Sequence, residues 1–297
     1  MPELPEVETV RVQLAPALTG RRFEHVEIFD SRLTRPFDPA EFASALAGER
    51  VGSVDRRGKY LVVRFDSGRS LLIHLRMTGS IRHAARGALA EDPYRRAVVR
   101  LDDGSDVVYR DVRRFGTWLF LEPGELEPYL ATRLGREPLA RAFTARRLAE
   151  RLRGRRAPIK AALLDQRTLA GMGNIYADEA LWRARIHPLR PARELTDADV
   201  DRLTRGVKDA LRAGIARQGA TLRDYATPNG GRGTMQTVFK VYGRGGEPCE
   251  RCGTPIEKIR VAGRGTWYCP RCQQPVGDYA ASRSSSAPSR ARRQSSV

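Results

Sequence analysis

Apolar side chains at Val7, Val10, Leu14 and Leu18 recur at helical spacing near the start of the chain. Pro5 stands near the head of this stripe and Gly20 just past its end, so the pattern predicts a capped amphipathic helix. From Arg22 to about Leu121 the period shortens. Residues 60–65 and 70–75 are β-rich runs around the turn Asp66-Ser67-Gly68, which predicts a hairpin. The same texture recurs at 97–101, 107–109 and 117–121, and short strands joined by polar turns predict an antiparallel sandwich or barrel.

Pro and Gly punctuate residues 122–138, where the pattern predicts a linker. Helical texture then returns at 144–152, at 159–165 with Pro158 as its first helical residue, and at 175–184. Thr196, with Asp199 three residues on, has the form of a capping box, and Val200, Leu203, Val207, Leu211 and Ile215 follow as one stripe. Residues 221–236 read as a loop rich in glycine (Gly230, Gly231, Gly233). From residue 277 the Ser/Arg-rich composition predicts a disordered basic tail.

Charge changes the picture more than composition does. The 297 residues include 53 Lys and Arg against 35 Asp and Glu, a formal net charge of +18. Such a field favours polyanions, with nucleic acid ahead of an anionic membrane surface. No apolar run approaches the ~18 residues of a membrane span, and the acidic, polar start has no signal-peptide pattern. The expectation is a cytoplasmic protein that faces DNA or RNA.

The most specific local pattern is Cys249-x2-Cys252-x16-Cys269-x2-Cys272. Two thiolates on each of two tight turns can close a tetrahedral zinc site, and four of them leave no open position, so one structural Zn2+ is expected. Between the cysteines lies an Arg- and Gly-rich hairpin tip, residues 260–266, which is either a rigid mount for an Arg aimed at phosphates or a solvated turn. Gly171-Met172-Gly173-Asn174, between two helices, could bring backbone N–H groups close to a phosphate, or could be a plain inter-helix turn.

Met1-Pro2-Glu3-Leu4-Pro5-Glu6 taken alone is ordinary capping chemistry. Once Met1 is removed, however, Pro2 carries a terminal amine, a group with an unperturbed pKa of about 7.7–8.0. That nitrogen is nucleophilic near neutral pH and can form an iminium with a sugar carbon. Met77, Arg113 and Phe115 lie at strand-to-strand connections, and together could replace an extruded base and bond its orphaned partner. Taken alone, Met77 and Phe115 are residues more often found in a core, and Lys59 could be a simple surface charge at a strand start.

These blocks occur in one order: Pro2-Glu3-Leu4-Pro5-Glu6-Val7-Glu8, Lys59-Tyr60-Leu61, His74-Leu75-x-Met77-Thr78-Gly79 and Asp111-x-Arg113-Arg114-Phe115-Gly116 come first. Gly171-x-Gly173-Asn174-Ile175-Tyr176-Ala177, Val241-Tyr242-Gly243-Arg244 and the four-cysteine ribbon follow. From residue 2 to about 273 the chain resembles bacterial formamidopyrimidine-DNA glycosylases. The resemblance implies an α+β multidomain protein: an N-terminal antiparallel β-sandwich with a flanking helix (1–133), a helix–two-turn–helix domain including the lesion-covering loop (134–236), a zinc ribbon (237–276) and the tail (277–297). It implies a monomer that acts on double-stranded DNA carrying oxidised purines or abasic sites. The damaged purine would be flipped out and excised, and the strand then cut by β,δ-elimination.

By the same resemblance, Pro2 would be the nucleophile, Glu3 the general acid/base, and Lys59 a positive charge at the reacting sugar. Arg264 and Asn174 would hold phosphates around the flipped nucleotide, with Lys160 and Tyr242 beside them. Met77, Arg113 and Phe115 would fill the vacated stack, and His74 and Arg114 would extend the DNA contact. Two departures stand out. Thr234-Met235-Gln236 occupies a stretch of the lesion-covering loop where the family commonly has an aromatic residue, and Arg76 stands where a smaller residue is usual. The glycines of that loop also predict mobility. Two other readings stay open: an endonuclease VIII-type enzyme for oxidised pyrimidines, which Leu4 argues against because that branch usually opens Pro-Glu-Gly-Pro-Glu, and a catalytically silent DNA-binding protein.

Overall fold

The computed structural model describes residues 1–275; the tail expected at 277–297 lies outside the described residues. Helix α1 spans Leu4–Leu18 and starts three residues before the apolar stripe does. The cause is a capping box. The Glu3 carboxylate accepts from the backbone N–H of Glu6, and the Glu6 carboxylate from that of Glu3.

The first layers comprise β1 (Phe23–Ile28), α2 (Pro39–Leu46), β2 (Val51–Arg57), β3 (Tyr60–Phe65), β4 (Ser70–His74), β5 (Gly79–Ala85), β6 (Arg95–Leu101), β7 (Ser105–Asp111) and β8 (Thr117–Leu121). They form two four-stranded antiparallel sheets, ordered β2-β3-β4-β8 and β1-β6-β7-β5. The expected hairpins are present, β3 with β4 and β6 with β7. One core runs between the sheets and under α1, built from Val7, Val10 and Leu14 with Leu61, Val63, Ile73, Val99 and Tyr109. Strands β1 and β2 escape the sequence pattern because each is interrupted by a bulge and at least half of its positions are polar.

Part of the expected linker is helical. Helix α3 (Leu126–Ala131) tolerates Pro128 because the first-turn N–H has no intrahelical acceptor anyway. Its Leu126 and Leu130 join Leu134 against Val62 and Leu72 on the outer face of the sheet. Next come α4 (Ala145–Leu152) with Thr144 as N-cap, α5 (Ile159–Leu164), α6 (Asn174–Ala184) and α7 (Asp197–Ala216), the last with the Thr196/Asp199 capping box. Pro158 stands at the N-cap of α5 rather than inside it. These helices enclose a second core that also contains Leu4. The first residue of α1 is therefore packed in the helical layer, while its stripe Val7, Val10, Leu14 and Leu18 packs on the sandwich.

Strands β9 (Glu257–Val261) and β10 (Arg264–Tyr268) form the final hairpin. Its two-residue turn, Ala262 and Gly263, has positive φ at both positions, the geometry that matches strand twist. Among the described residues no helix is long and apolar enough to cross a membrane.

Candidate active site and nucleic-acid interface

The N-terminus is held at the seam between the two cores. Leu4 N–H donates to Gly171 O at 3.1 Å. Gly171 has φ +85, and a Cβ there would lie 2.7 Å from Leu4 Cδ1. Glu3 Oε1 accepts the backbone N–H of Ile175 at 2.9 Å, and Oε2 that of Tyr176 at 3.3 Å. These are orphan donors of the first turn of α6, at the positive end of its dipole. A Cβ on Gly173 would lie 2.5 Å from Glu3 Oε1. The glycine loop, read either as a phosphate-approaching loop or as a plain inter-helix turn, closes around a carboxylate of the protein itself, and its small residues admit Leu4 and Glu3.

Glu6 is buried behind Glu3. It accepts from Glu3 N–H, Ala220 N–H and the Tyr176 hydroxyl, each at 2.8 Å. Burial and the neighbouring Glu3 charge push its carboxyl above the ordinary range, against the pull of these three donors. Sequence reasoning gave Glu6 no role beyond capping; the missed signal is its spacing of three from Glu3.

Lys59 lies in the two-residue β2–β3 turn and is only 6% exposed. Burial lowers its pKa, while Glu3 and Glu6 oppose that shift. The turn is clamped from the helical side. Gly58 N–H donates to Glu137 Oε1 at 2.5 Å, and Arg56 bridges Glu8 and Glu137 at 2.9 Å each. His74, the last residue of β4, packs edge-on to Tyr60 at 4.7 Å and accepts the Arg76 N–H on Nδ1 at 3.0 Å. Burial, reinforced by Arg76 and Lys59, lowers its pKa to about 3. It is therefore neutral near pH 7, with its proton on Nε2. A cavity of about 390 Å³ is lined by Glu3, Lys59, His74, Asn174, Tyr242 and Arg264. An adjoining one of about 350 Å³ is lined by Pro2, Glu6, Met77, Arg113 and Tyr225.

Phe115 is 51% exposed, and the Arg113 guanidinium stacks on its ring at 4.7 Å. Met77 is half-buried beside them. The two wedge-bearing loops are joined at their bases. The Thr78 hydroxyl bonds Asp111, Arg113 N–H donates to Thr78 Oγ1 at 2.9 Å, and Gly116 N–H to Asp111 Oδ2 at 2.7 Å. Arg114, at φ +59, forms a bidentate pair with Asp30 at 2.6 and 2.8 Å, so its charge is largely matched within the protein.

Lys160 departs from expectation. It is fully buried, and its ammonium forms an ion pair with Asp178 Oδ1 (2.7 Å) and donates to Thr266 Oγ1 (2.7 Å) and Gly265 O (3.1 Å). It cannot present charge to DNA from this position. Asn174 spends a side-chain donor on Gly265 O at 2.9 Å, and Arg264 at the head of β10 stays exposed. Tyr242 is held through its backbone, because Glu179 Oε1 accepts the N–H groups of Lys240, Val241 and Tyr242. Nothing in the sequence pattern singled out Glu137, Asp178 or Glu179. Charged residues within helical or linker stretches read as solvated.

The glycine-rich loop is tethered on both sides. Tyr225 bonds Glu6 O and Gln218 O, His83 N–H donates to Pro228 O at 3.2 Å, and Asn229 N–H to Gln13 Oε1 at 3.4 Å. Within the stretch that lacks the family's aromatic, Met235 lies in the helical core with no exposed surface, whereas Thr234 is exposed and Gln236 half-buried.

The sulfurs of Cys249, Cys252, Cys269 and Cys272 lie within 4.8 Å of one another, close enough for small shifts to bring all four onto one tetrahedral zinc. The Trp182 indole N–H donates to Cys249 Sγ at 3.4 Å, tying α6 to the metal knuckle.

Three family models match in order. The formamidopyrimidine-DNA glycosylase N-terminal domain matches residues 1–118, its H2TH domain 134–226, and the zinc finger found in FPG and IleRS 246–275. A formamidopyrimidine-DNA glycosylase of Roseiflexus sp. is 48% identical over 259 residues, 87% of this chain and 94% of that protein. The chain belongs to the formamidopyrimidine-DNA glycosylase family. That of Moorella thermoacetica is 45% identical over 261 residues, 88% of this chain and 95% of that protein. Among solved structures, a Lactococcus lactis FPG variant bound to Fapy-dG-containing DNA superposes with a TM-score of 0.87 at 37% identity, covering 92% of this chain and all of that one. MutM from Thermus thermophilus gives 0.82 at 42% identity, covering 93% of this chain and all of that one. With the family comes its four-cysteine zinc finger and a structural Zn2+.

Proposed function

We propose that this protein is a bifunctional DNA glycosylase and abasic-site lyase that excises 8-oxoguanine and formamidopyrimidines from duplex DNA. Family membership supports that activity, and relatives have been crystallised with DNA carrying Fapy-dG, an 8-oxo-G analogue or an abasic site. The observation that carries the residue assignment is Glu3, clasped by the first turn of α6 next to Pro2 in a cavity shared with Lys59 and Arg264.

With Met1 removed, the Pro2 nitrogen attacks C1′ of the flipped nucleotide and the C1′–N bond to the base breaks. Glu3 protonates the sugar ring oxygen, which lets the ring open to an iminium. The iminium acidifies C2′. Loss of a C2′ proton expels the 3′-side phosphate, and loss of a C4′ proton then expels the 5′-side phosphate. Lys59 and Arg264 stabilise the phosphates that carry the departing charge. Met77, Arg113 and Phe115 fill the gap left by the base, Arg113 facing the cytosine opposite; His74 donates Nε2–H toward the backbone, and Asn174, Tyr242 and Arg114 border the path. Lys160 acts inside the protein. The division at about residues 133 and 236 is supported by the separate sandwich, helical and cysteine-lined cores. The fit to a bacterial cytoplasm is supported by the reduced thiols that the zinc site needs.

The test is borohydride reduction on 8-oxoguanine:C duplex, combined with mass analysis of the N-terminus. A crosslink through Pro2 that disappears in Pro2→Gly supports the proposal. No crosslink from the processed protein, or faster cleavage of thymine-glycol DNA, overturns it.

A further inference from the structure

Among the buried acids that take no step in the mechanism, one sits beside the hairpin that carries Arg264. Asp178, in the middle of α6, has about 1% exposure, and burial raises its pKa to about 7 against the opposing pull of Lys160. It is bonded on two sides. Lys160 Nζ lies 2.7 Å from Oδ1, and the Trp267 N–H donates to Oδ2 at 3.1 Å. Lys160 in turn donates to Gly265 O and Thr266 Oγ1, and that hydroxyl bonds the carbonyl of Arg264. Asn174 supplies a second donor to Gly265 O. Three consecutive residues of β10, immediately after Arg264, are thereby fastened to α5 and α6.

Arg264 itself follows a two-residue turn with no other anchor of this kind. The turn glycine, Gly263, and Gly265 bring no side chain to pack. We infer that Asp178 is a positioning residue for Arg264: acting through Lys160 and the Trp267 N–H, it sets where the guanidinium meets the phosphate in the second elimination. This rests on the role assigned to Arg264 above. A buried charge pair is weak evidence for net stability, whereas a pair whose remaining donors all go to one hairpin has a geometric consequence. A displacement of ~1 Å at a reacting group can cost on the order of 100-fold in rate.

The experiment uses the full-length, zinc-loaded, N-terminally processed protein on abasic duplex. It measures borohydride-trapped adduct, zinc content and the ratio of doubly to singly eliminated product. Asp178→Asn is expected to keep zinc and to trap within about twofold of the parent, while the product ratio falls by about tenfold. Because Asp178→Asn strands the Lys160 charge and can fail to fold, the pair Asp178→Asn with Lys160→Met removes both charges. It should fold, trap normally and keep the low ratio, because the bonds to Gly265 and Thr266 stay lost. An unchanged ratio in either variant, or equal losses in trapping and in second elimination, overturns the inference. Arg264→Gln separates the two assignments. If it lowers the ratio and the Asp178 variants do not, only the positioning role fails; if it leaves the ratio unchanged, the role of Arg264 fails and the inference with it.

Discussion

Glu3 Oε1 accepts the backbone N–H of Ile175 at 2.9 Å across 172 residues of chain. One carboxylate therefore caps two helices: it begins α1 from within the same segment and occupies the N-terminus of α6 from outside. Gly173 is the residue that allows this approach. Gly173→Ala is expected to push Glu3 out of the donor pair while leaving Pro2 in place. Base excision should fall by about 100-fold or more, read as single-turnover release of 8-oxoguanine. Unimpaired release would show that Glu3 does not need this seat.

Phe115 is exposed and contributes little to folding. Phe115→Ala should change stability by less than ~0.5 kcal/mol in urea. Its stacking value on DNA is about 1–3 kcal/mol, so affinity for abasic duplex should fall by roughly 5- to 150-fold. A stability loss as large as the binding loss would return Phe115 to the core.

His74 makes stability depend on acid. Its folded pKa of about 3 lies below the ordinary 6.5, so between these values the unfolded chain binds more protons. Stability contributed by neutral His74 is complete above about pH 6.5 and is lost as pH falls toward 3, by at most about 1.4 kcal/mol per pH unit. His74→Gln should therefore lose roughly 2 kcal/mol less than the parent between pH 7 and pH 5. Parallel unfolding curves for the two proteins would contradict this.

Glu137 joins the helical layer to the turn that carries Lys59, and the Arg56–Glu137 pair is mostly buried. Glu137→Ala leaves Arg56 paired with Glu8 alone and strands the Gly58 N–H. The expected cost is about 1–3 kcal/mol, with a loss of trapping greater than Arg57→Ala produces. Equal effects of the two substitutions would assign Glu137 to stability alone.

Trp182 donates to a metal-ligating sulfur. Trp182→Phe preserves the ring packed under Arg251 and removes only the N–H, so zinc transfer to a chelator should become about tenfold more favourable. Unchanged zinc retention would make the contact one of packing.

Much of this protein was legible in order along the chain. Local period and turn chemistry determined α1, the β3–β4 and β6–β7 hairpins, the capping box of α7 and the cysteine pairs, because each depends on residues a few positions apart. The motif blocks, Pro2-Glu3 foremost, named the chemistry. Only the tertiary structure decided what the glycines of 171–173 face, that Lys160 points inward to Asp178 and β10, that Met235 is core, and that Glu137 braces Lys59. Those relations join segments tens to hundreds of residues apart. A charged or small residue in sequence carries no sign of whether the fold leaves it in water or closes a distant backbone over it. The burial that decides its role exists only once the sandwich, the helices and the ribbon have met around the N-terminus.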